Sequence, residues 1–492
     1  MTTAERLPSA AVDETTWDRA HAGLVEDLRA LIRIPSVNPP PADAPDGELR
    51  VARAIADRLA DAGLRPEVVE SFPGRGNVGA RLRGDGSGGG PLLLLSHLDV
   101  VPAPTDGWTH DPFAADVADG YVWGRGAVDM KAMITLELAV VRRLADEARA
   151  AGRDPASDPI PGLTRDVLFA ATADEEAGGN QGIGWLVEHR PDWLRADGAL
   201  NECGAVATTV AGTRLYPIGV AEKGFEVFRI RVHGTWGHGS MPRADNAAVL
   251  AAEVIRRLAK PGAPRLTPVM TRFLEGAADA LPANAAAGVR ALASGDVAAG
   301  ERALDVLCDP MYARALSALV RDTISPDVVH AGVKYNVIPG EATVEIDCRV
   351  LPGTSHETME ADIMARLGPE LAAVCDVEPI IGAPPVEAPT DTPLYRLLER
   401  TIRDHDPEAV PLPVMMPFAT DAKHTAKLGV PTYGFSPLRL EPDERFLERF
   451  HGVDERVGLD ALRWGLPVLY DVVRRFCGPR TSVDLTIPAA SG

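Results

Sequence analysis

Hydrophobic residues along the first 200 positions follow two different spacings. Leu24, Leu28, Leu31 and Ile32 recur at helical spacing, whereas residues 91–96 contain an unbroken run of four leucines. The first spacing predicts an amphipathic helix, and the leucine run is typical of a strand buried on both faces of a sheet. The same criteria predict helices over 15–33, 51–62, 130–148 and 182–188, and strands over 65–69, 77–82, 91–96 and 167–171. Strands alternating with helices favour an α/β domain with a mostly parallel sheet and helices on both faces.

The pattern changes near Gly219. From there the spacing of apolar positions predicts, in order, a strand, a helix, two strands, a helix and a strand, at 225–232, 247–258, 333–338, 342–350, 356–367 and 374–381. This order is typical of a small ferredoxin-like α+β sandwich. An Ala-rich stretch at about 261–326 lies between its first helix and second strand, and we expect it to be a helical insertion.

Beyond Pro384 the α/β pattern resumes and continues to about Cys477. The smaller domain is therefore predicted to be inserted into the larger one. We expect a catalytic domain formed by 1–218 and 385–492, and an inserted domain at 219–384. A length of 492 residues fits two or more domains of ordinary size.

Composition and charge narrow the function classes. Its length of 492 residues excludes a single small binding module, and its hydrophobic content of 46% excludes a mainly disordered chain. The formal net charge is −20. A strongly acidic surface repels phosphate backbones and anionic lipid, and we expect no nucleic-acid or membrane partner. The sequence contains no run of 18 apolar residues, so we expect no membrane-spanning helix.

The N-terminal residues and the cysteines bear on location. Residues 1–20 are polar and acidic, which argues against a secretory signal. The cysteines are odd in number and widely spaced, which fits a reducing compartment; they are Cys203, Cys308, Cys348, Cys375 and Cys477. We therefore expect a cytoplasmic protein.

Polar residues that could bind metal or take part in catalysis follow several predicted strands. His97 and Asp99 come directly after the leucine strand, and in extended chain they project to the same side. A neutral imidazole is a good zinc ligand, and Asp99 could hold its second ring nitrogen. Taken alone, the pair is more typical of a strand-end histidine with a polar neighbour than of a metal site.

Acidic residues stand at other element ends. Asp129 lies at the start of a long apolar helix, where it could cap the helix or bridge two metal ions. Asp174, Glu175 and Glu176 follow the strand at 167–171, either as a solvated loop or as a site where one carboxylate ligates metal and its neighbour takes a proton. Glu202 follows another predicted strand.

His451 precedes the predicted last helix. It completes a set of five candidate metal ligands, each beside the end of a predicted element. Two histidines and three carboxylates make a nitrogen and oxygen donor set suited to a pair of zinc ions. The five candidate ligands are His97, Asp129, Glu176, Glu202 and His451.

The order and spacing of these motifs across nearly the whole chain resemble peptidase family M20. This family groups zinc-dependent carboxypeptidases, aminoacylases, desuccinylases and related deacylases. The matching stretches are SHLDVVP at 96–102, GRGAVDMK at 124–131, DEEAGG at 174–179, NECG at 201–204, GHGSMP at 237–242, NVIPG at 336–340 and HGVDERV at 451–457.

The resemblance implies a role for each ligand. His97 and Glu202 would complete one metal site, Glu176 and His451 the other, and Asp129 would bridge them. The metals would be two divalent ions, with Zn²⁺ expected and Co²⁺ or Mn²⁺ as alternatives. A metal-bound water would attack an amide carbonyl.

Further roles follow from the same resemblance. Glu175 would act as general base, Asp99 would support His97, and His238 would donate a hydrogen bond to the oxyanion. In such enzymes the matching histidine often reaches across a dimer, so a homodimer is expected. Asn336 and Arg349, on two strands predicted to be adjacent, would hold the substrate, and an Arg fork suits a carboxylate.

The expected function is hydrolysis of an amide or peptide bond in a small carboxylate-bearing substrate. An N-acyl amino acid, a dipeptide and a carboxyl-terminal residue all remain open, because pocket shape and not metal chemistry separates them. The alternative is a catalytically silent metal- or peptide-binding relative of the same fold.

Two positions depart from a simple match. Cys203 stands where relatives usually carry Gly, next to the candidate ligand Glu202. His424 competes with His451 for the fifth ligand position, and the resemblance favours His451.

Overall fold

The structure is a computed structural model that describes residues 7–307, 310–441, 444 and 446–479. Its helices are α1 Glu14–Ile32, α2 Gly47–Asp61, α3 Lys131–Ala150, α4 Ile183–His189, α5 Ala247–Leu258, α6 Pro268–Ala280, α7 Ala283–Ala293, α8 Val297–Leu307, α9 Pro310–Leu319, α10 His356–Ala372, α11 Pro393–His405, α12 Ala422–Thr425 and α13 Leu459–Cys477. Its strands are β1 Glu67–Phe72, β2 Arg75–Leu82, β3 Leu92–His97, β4 Val117–Ala118, β5 Tyr121–Trp123, β6 Val167–Thr172, β7 Gly198–Asn201, β8 Thr208–Val210, β9 Thr213–Glu222, β10 Gly224–His233, β11 Gly237–His238, β12 Thr323–Ala331, β13 Val337–Ile338, β14 Glu341–Val350, β15 Cys375–Ala383, β16 Val386–Glu387, β17 Val410–Met416, β18 Thr432–Gly434 and β19 Arg456–Gly458.

The large sheet has the strand order β1-β2-β6-β3-β7-β18-β9-β16. Its centre, β6-β3-β7-β18, is parallel, whereas β1, β2 and β16 pair antiparallel at the two ends. Outside that path, β17 pairs parallel and β8 antiparallel with β9. The predicted fold class, an α/β sheet covered by helices with an inserted α+β domain, is confirmed.

The four leucines of β3 show why this strand is apolar throughout. Leu92 and Leu94 belong to the core that contains α3 and α13, while Leu93 and Leu95 pack with Ile183 of α4 on the opposite face. All four are fully buried. Burying a leucine contributes about 1.5–3 kcal/mol, so both faces of this strand hold the sheet between its helices.

A second sheet has the order β12-β14-β10-β15 and is entirely antiparallel. We call this sheet, together with the helices α5 and α10, the lid. In chain order these are strands two, three, one and four of the ferredoxin-like unit. Apolar side chains of α5 and α10 pack on one face of this sheet in a core of their own.

One predicted strand of the lid is wrong. The second strand is β12 and not 333–338, of which only β13 is extended, paired with β11 in a separate two-stranded ribbon. β12 is an edge strand with most side chains exposed and Pro326 beside a register shift, so it lacks the alternation that predicts a strand.

The predicted insertion contains α6, α7, α8 and α9, and its helical part ends at Leu319. Val269, Met270 and Phe273 of α6 belong to the same core as the large sheet, so this segment packs on the larger domain. The boundaries assigned from the sequence to the two domains stay a prediction. None of the helices that the structure describes has the length and apolarity to cross a lipid bilayer.

Glu137 is a charged side chain placed in the core of the larger domain. It lies on α3, is fully buried, and accepts a hydrogen bond of 2.7 Å at Oε2 from Ser96 Oγ. Burial raises the pKa of Glu137 to about 8, from an ordinary value of 4.5.

This carboxyl makes stability depend on pH. Between about pH 4.5 and 8 the folded state keeps the proton that the unfolded chain releases, so unfolding becomes easier by about 1.4 kcal/mol per pH unit from this group. Glu137→Gln removes that slope. We expect the melting temperature of the variant to rise relative to wild type from pH 5 to 8 in thermal unfolding scans. A difference that is constant over this range would contradict the prediction.

Candidate active site

The candidate ligands are brought together by the ends of the parallel strands. His97 ends β3, Glu176 follows β6 and Glu202 follows β7, and the carboxyl ends of these strands share one edge of the sheet. Asp129 lies two residues before α3, and His451 lies in the loop before β19. Asp129 does not cap α3, whose N-cap is Met130.

Asp129 stands at the centre of the cluster. Its Oδ1 is 3.0 Å from His97 Nε2, and its Oδ2 is 3.4 Å from His451 Nε2. Glu202 Oε2 is 3.7 Å from His97 Nε2, and Glu176 Oε2 is 3.2 Å from His451 Nε2. All five predicted ligands therefore converge, with one carboxylate oxygen of Asp129 directed to each histidine.

The electrostatics of the cluster favour added positive charge. Hydrogen bonds with Asp129 and then Glu176 raise the pKa of His451 to about 10. Burial raises the pKa of Glu176 to about 7. At Asp129 burial acts in the same direction, but the hydrogen bonds from His451 and His97 outweigh it and hold the pKa of this carboxyl below its ordinary value.

The donor set fits divalent metal ions. Ligand atoms of His97, Asp129 and Glu176 lie within 4.8 Å of one another, and so do those of His97, Glu175 and Glu202. Glu176 Oε1 is buried and has no hydrogen-bond partner among the described residues. Such an oxygen is costly unless a cation or donor meets it. Imidazole nitrogens and carboxylate oxygens suit zinc and related divalent ions.

Asp99 has more partners than the sequence indicates. His97 Nδ1 is 3.1 Å from the backbone oxygen of Asp99 and 3.5 Å from its carboxylate. The carboxylate accepts the backbone N–H groups of Glu175 and Glu176 at 3.1 and 3.0 Å, and the Asn38 side chain at 2.7 Å. Asp99 thus fixes the short 3₁₀ turn that carries Glu175 and Glu176 as well as the ring of His97.

Glu175 is buried beside a cation that the sequence analysis missed. Burial raises its pKa well above the ordinary value, and the charge of Lys423 opposes that shift. Lys423 Nζ lies 3.6 Å from Glu175 Oε1 and donates to the backbone oxygen of Thr420 at 2.9 Å. The motif at 420–424 is the signal that could have identified Lys423, which stands two residues after Asp421.

The two competing histidines, His424 and His451, have different surroundings. His424 Nε2 is 2.9 Å from the backbone oxygen of Gly178 and lies against Gly179 and Gly184. Neither histidine belongs to the two groups of potential metal ligands, but His451 Nε2 contacts Asp129 and Glu176, which belong to one of them.

Cys203 is adjacent to Glu202 and adopts a positive φ of 61°. Its thiol donates a hydrogen bond of 3.3 Å to Glu202 Oε2. Burial raises the pKa of this thiol well above its ordinary value, so it stays protonated and acts as a donor. Cys203, Cys348, Cys375 and Cys477 are free thiols, and Cys308 lies outside the described residues.

A cleft of about 660 Å³ lies between the cluster and the lid sheet. Its floor includes Asp129, Glu175 and Lys423, and its apolar walls are formed by Phe225, Val227, Val328, Ile381, Phe418 and Phe450. Arg349 lines the lid side, where its Nε lies 3.0 Å from both carboxylate oxygens of Asp347 and its guanidinium lies 5.6 Å from the Phe225 ring.

His238 and Asn336 lie together in the β11–β13 ribbon and not among the residues that line the cleft. Exposed His238 contacts Ser240 Oγ at 2.7 Å, and buried Asn336 Oδ1 has no partner within the described chain. The expectation that Asn336 and Arg349 lie on adjacent strands is wrong, because β13 pairs with β11 while β14 pairs with β10 and β12.

The sequence matches known proteins over most of its length. The model of peptidase family M20/M25/M40 matches residues 93–475. A probable carboxypeptidase S-like 2 of Dictyostelium discoideum is 29% identical, with 78% of this chain and 71% of the relative covered. The N-fatty-acyl-amino acid synthase/hydrolase PM20D1 of Homo sapiens is 27% identical, with 78% and 74% covered.

Solved structures share the fold. The M20 family metallo-carboxypeptidase Sso-CP2 of Sulfolobus solfataricus superposes with a TM-score of 0.68 at 16% identity, covering 94% of this chain and 99% of that one. Human carnosine dipeptidase 1 gives a TM-score of 0.66 at 17% identity, covering 94% and 98%. With a family model matching well over half of its length, the chain belongs to peptidase family M20/M25/M40.

Proposed function

We propose that this protein is a metal-dependent hydrolase of an amide or peptide bond in a small substrate that carries a carboxylate. The observation that carries this proposal is the convergence of two histidines and three buried carboxylates next to Glu175, at the floor of an open cleft. Membership of a peptidase family agrees with this chemistry.

Each residue of the cluster has a proposed task. His97 and Glu202 would hold one divalent ion, Glu176 and His451 would hold a second, and Asp129 would bind both. When bound, such ions lower the pKa of water and polarise a carbonyl oxygen.

Glu175 is the proposed general base. It takes the proton of the attacking water and delivers it to the leaving nitrogen. The Asp99 carboxylate accepts the backbone N–H of Glu175 and so keeps Glu175 in place, and Lys423 lies against the Glu175 carboxylate.

We propose zinc as the metal, in two positions, because the donors are nitrogen and oxygen atoms and the two histidines flank one central carboxylate. Co²⁺ and Mn²⁺ are the alternatives that metal analysis would distinguish. A cytoplasmic location stays a prediction that rests on the cysteine pattern.

The cleft supports an N-acyl amino acid with an apolar acyl group as the substrate class. Phe225, Val227 and Phe450 offer apolar contact area near the floor, and Arg349 offers a guanidinium for a carboxylate. Two kinds of relative, the N-fatty-acyl-amino acid synthase/hydrolases and aminoacylase-1 of Pongo abelii, are named for N-acyl substrates. A dipeptide and a carboxyl-terminal residue are the other substrates to test.

We also propose a homodimer in which the β11–β13 ribbon completes the site of the second subunit. His238 and Asn336 are outside the cleft of their own chain, and the segments that precede the two strands of the ribbon expose Trp236, Val333 and Tyr335 at 59%, 87% and 95% of their surface. Clustered exposed apolar residues are typical of interaction surfaces. His238 would donate its N–H to the oxyanion in the partner's cleft.

Glu175→Gln tests the proposed base. The amide fits the same space but takes no proton, so we expect turnover to fall about 10²–10⁴-fold with unchanged metal content. The measurement uses a panel of N-acetyl, N-octanoyl and N-lauroyl amino acids and dipeptides, together with metal analysis. Glu67→Gln, on exposed β1, is the control. A metal-loaded wild type that hydrolyses nothing in the panel would favour a silent binding protein.

Asp129→Ala tests the central ligand. Because this carboxylate meets both histidines, we expect both ions to be depleted together when metal per chain is measured by mass spectrometry. Asp197→Ala, a half-exposed aspartate paired with Arg165, should keep both. Loss of one ion while the other is held at wild-type affinity would show that Asp129 binds a single ion.

His238→Ala tests the oxyanion donor and the dimer. Removing one such donor costs about 10²–10³-fold in turnover, and we expect metal content to stay unchanged. Mixed dimers of His238→Ala and Glu175→Gln subunits should regain activity, because one of the two hybrid sites is whole. Verified mixed dimers without recovery would show that His238 does not act across subunits.

A further inference from the structure

A buried ion pair joins the two loops that carry Asp129 and His451. Arg125 Nη1 and Glu455 Oε2 are 2.7 Å apart across 330 residues of sequence. The exposed fraction of the two side chains is 1% and 0%. Both belong to motifs noted in the sequence, GRGAVDMK and HGVDERV, yet neither lines the substrate cleft.

The Glu455 side chain accepts hydrogen bonds from the backbone at Asp129. Its Oε1 accepts the backbone N–H of Val128 at 2.7 Å and that of Asp129 at 3.0 Å. The backbone oxygen of Glu455 accepts the N–H of Gly124 at 2.9 Å. The loop before α3 is therefore attached to Glu455 by three hydrogen bonds.

Arg125 holds the loop of His451. Its Nη2 donates to the backbone oxygen of Gly452 at 2.9 Å, one residue after His451. The guanidinium also lies 5.3 Å from the centre of the Trp108 ring, which limits its freedom to turn. One residue pair thus connects the backbone at Asp129 to the backbone beside His451.

We infer that Arg125 and Glu455 are positioning residues that hold Asp129 and His451 as one unit and so govern retention of the ion bound by Asp129, Glu176 and His451. A buried ion pair adds little net stability, because removing both charges from water offsets their attraction. Its geometric effect on the two ligand loops is then its main contribution. The inference rests on the proposed function, since it assumes that these residues bind metal.

The test separates position from stability. In the double variant Arg125→Met with Glu455→Gln no buried charge is left unpaired, and Gln can still accept the two N–H groups, but the bond to Gly452 is lost. The matched control is Arg214→Met with Asp406→Asn, a pair on the larger domain with hydrogen bonds of 2.6 and 3.0 Å. Zinc per chain is measured after dialysis against graded chelator, and melting temperature is measured on the metal-free proteins.

Changes to groups that hold metal ligands in place cost about 10–100-fold in metal affinity. We expect the Arg125/Glu455 double variant to release its first zinc at a chelator concentration lower by that factor. The other zinc should be held nearly as in wild type, and the metal-free melting temperature should match that of the control. Arg125→Lys alone keeps a positive charge beside Glu455 but loses the bond from Nη2 to Gly452. It should show the same order of release with a smaller shift, which covers the case of a double variant that does not fold.

Wild-type zinc retention in the Arg125/Glu455 variants would overturn the inference. So would release of both ions together in proportion to a lowered melting temperature, because that is the result of general destabilisation. A wild-type protein that holds no divalent metal would instead overturn the proposed function. The metal content of the wild type alone decides this outcome.

Discussion

Burial of several carboxylates at one point is the constraint on which the site depends. Asp129, Glu175, Glu176 and Glu202 lie within one cluster, each largely removed from water, and two histidines and Lys423 are the positive groups that face them. Such a set is unstable in low dielectric unless cations compensate it. The fold places a positive group or a donor against each of them: His97 and His451 at Asp129, Lys423 at Glu175, His451 at Glu176, and the Cys203 thiol at Glu202. The four carboxylates are therefore arranged as a site that binds cations.

The parallel centre of the large sheet explains how residues far apart in sequence reach this cluster. β3, β6 and β7 end at the same edge, so His97, Glu176 and Glu202 are neighbours although 26 to 105 positions separate them in the sequence. The antiparallel strands at the sheet ends contribute no ligand. Asp99 connects two of these strand ends, since it bonds the turn after β6 while its own chain segment follows β3.

The sequence predicted what local spacing encodes. The helix α3 and the strand β3 follow from periodicity, and the five ligands follow from motif chemistry and from the family resemblance. Other features depend on contacts that no periodicity shows. Asp13 caps α1 by accepting the backbone N–H of Thr16, and β12 was missed because an exposed edge strand carries no apolar alternation. Lys423 and the pair Arg125–Glu455 become visible only when distant segments are packed together.

The connections between the two sheets set how the lid can act on the cleft. Lys223 alone separates β9 from β10, and its buried ammonium donates to the backbone oxygens of Ala318 and Arg321 at the end of the inserted helices. These helices pack through α6 on the large sheet, so the junction is held from both sides. A lid attached in this way keeps Arg349 at its own cleft while the β11–β13 ribbon lies outside it. Arg349, proposed to bind the substrate carboxylate, and His238, proposed to stabilise the oxyanion, are thus separated within one chain, which is the arrangement expected if a second subunit completes the site.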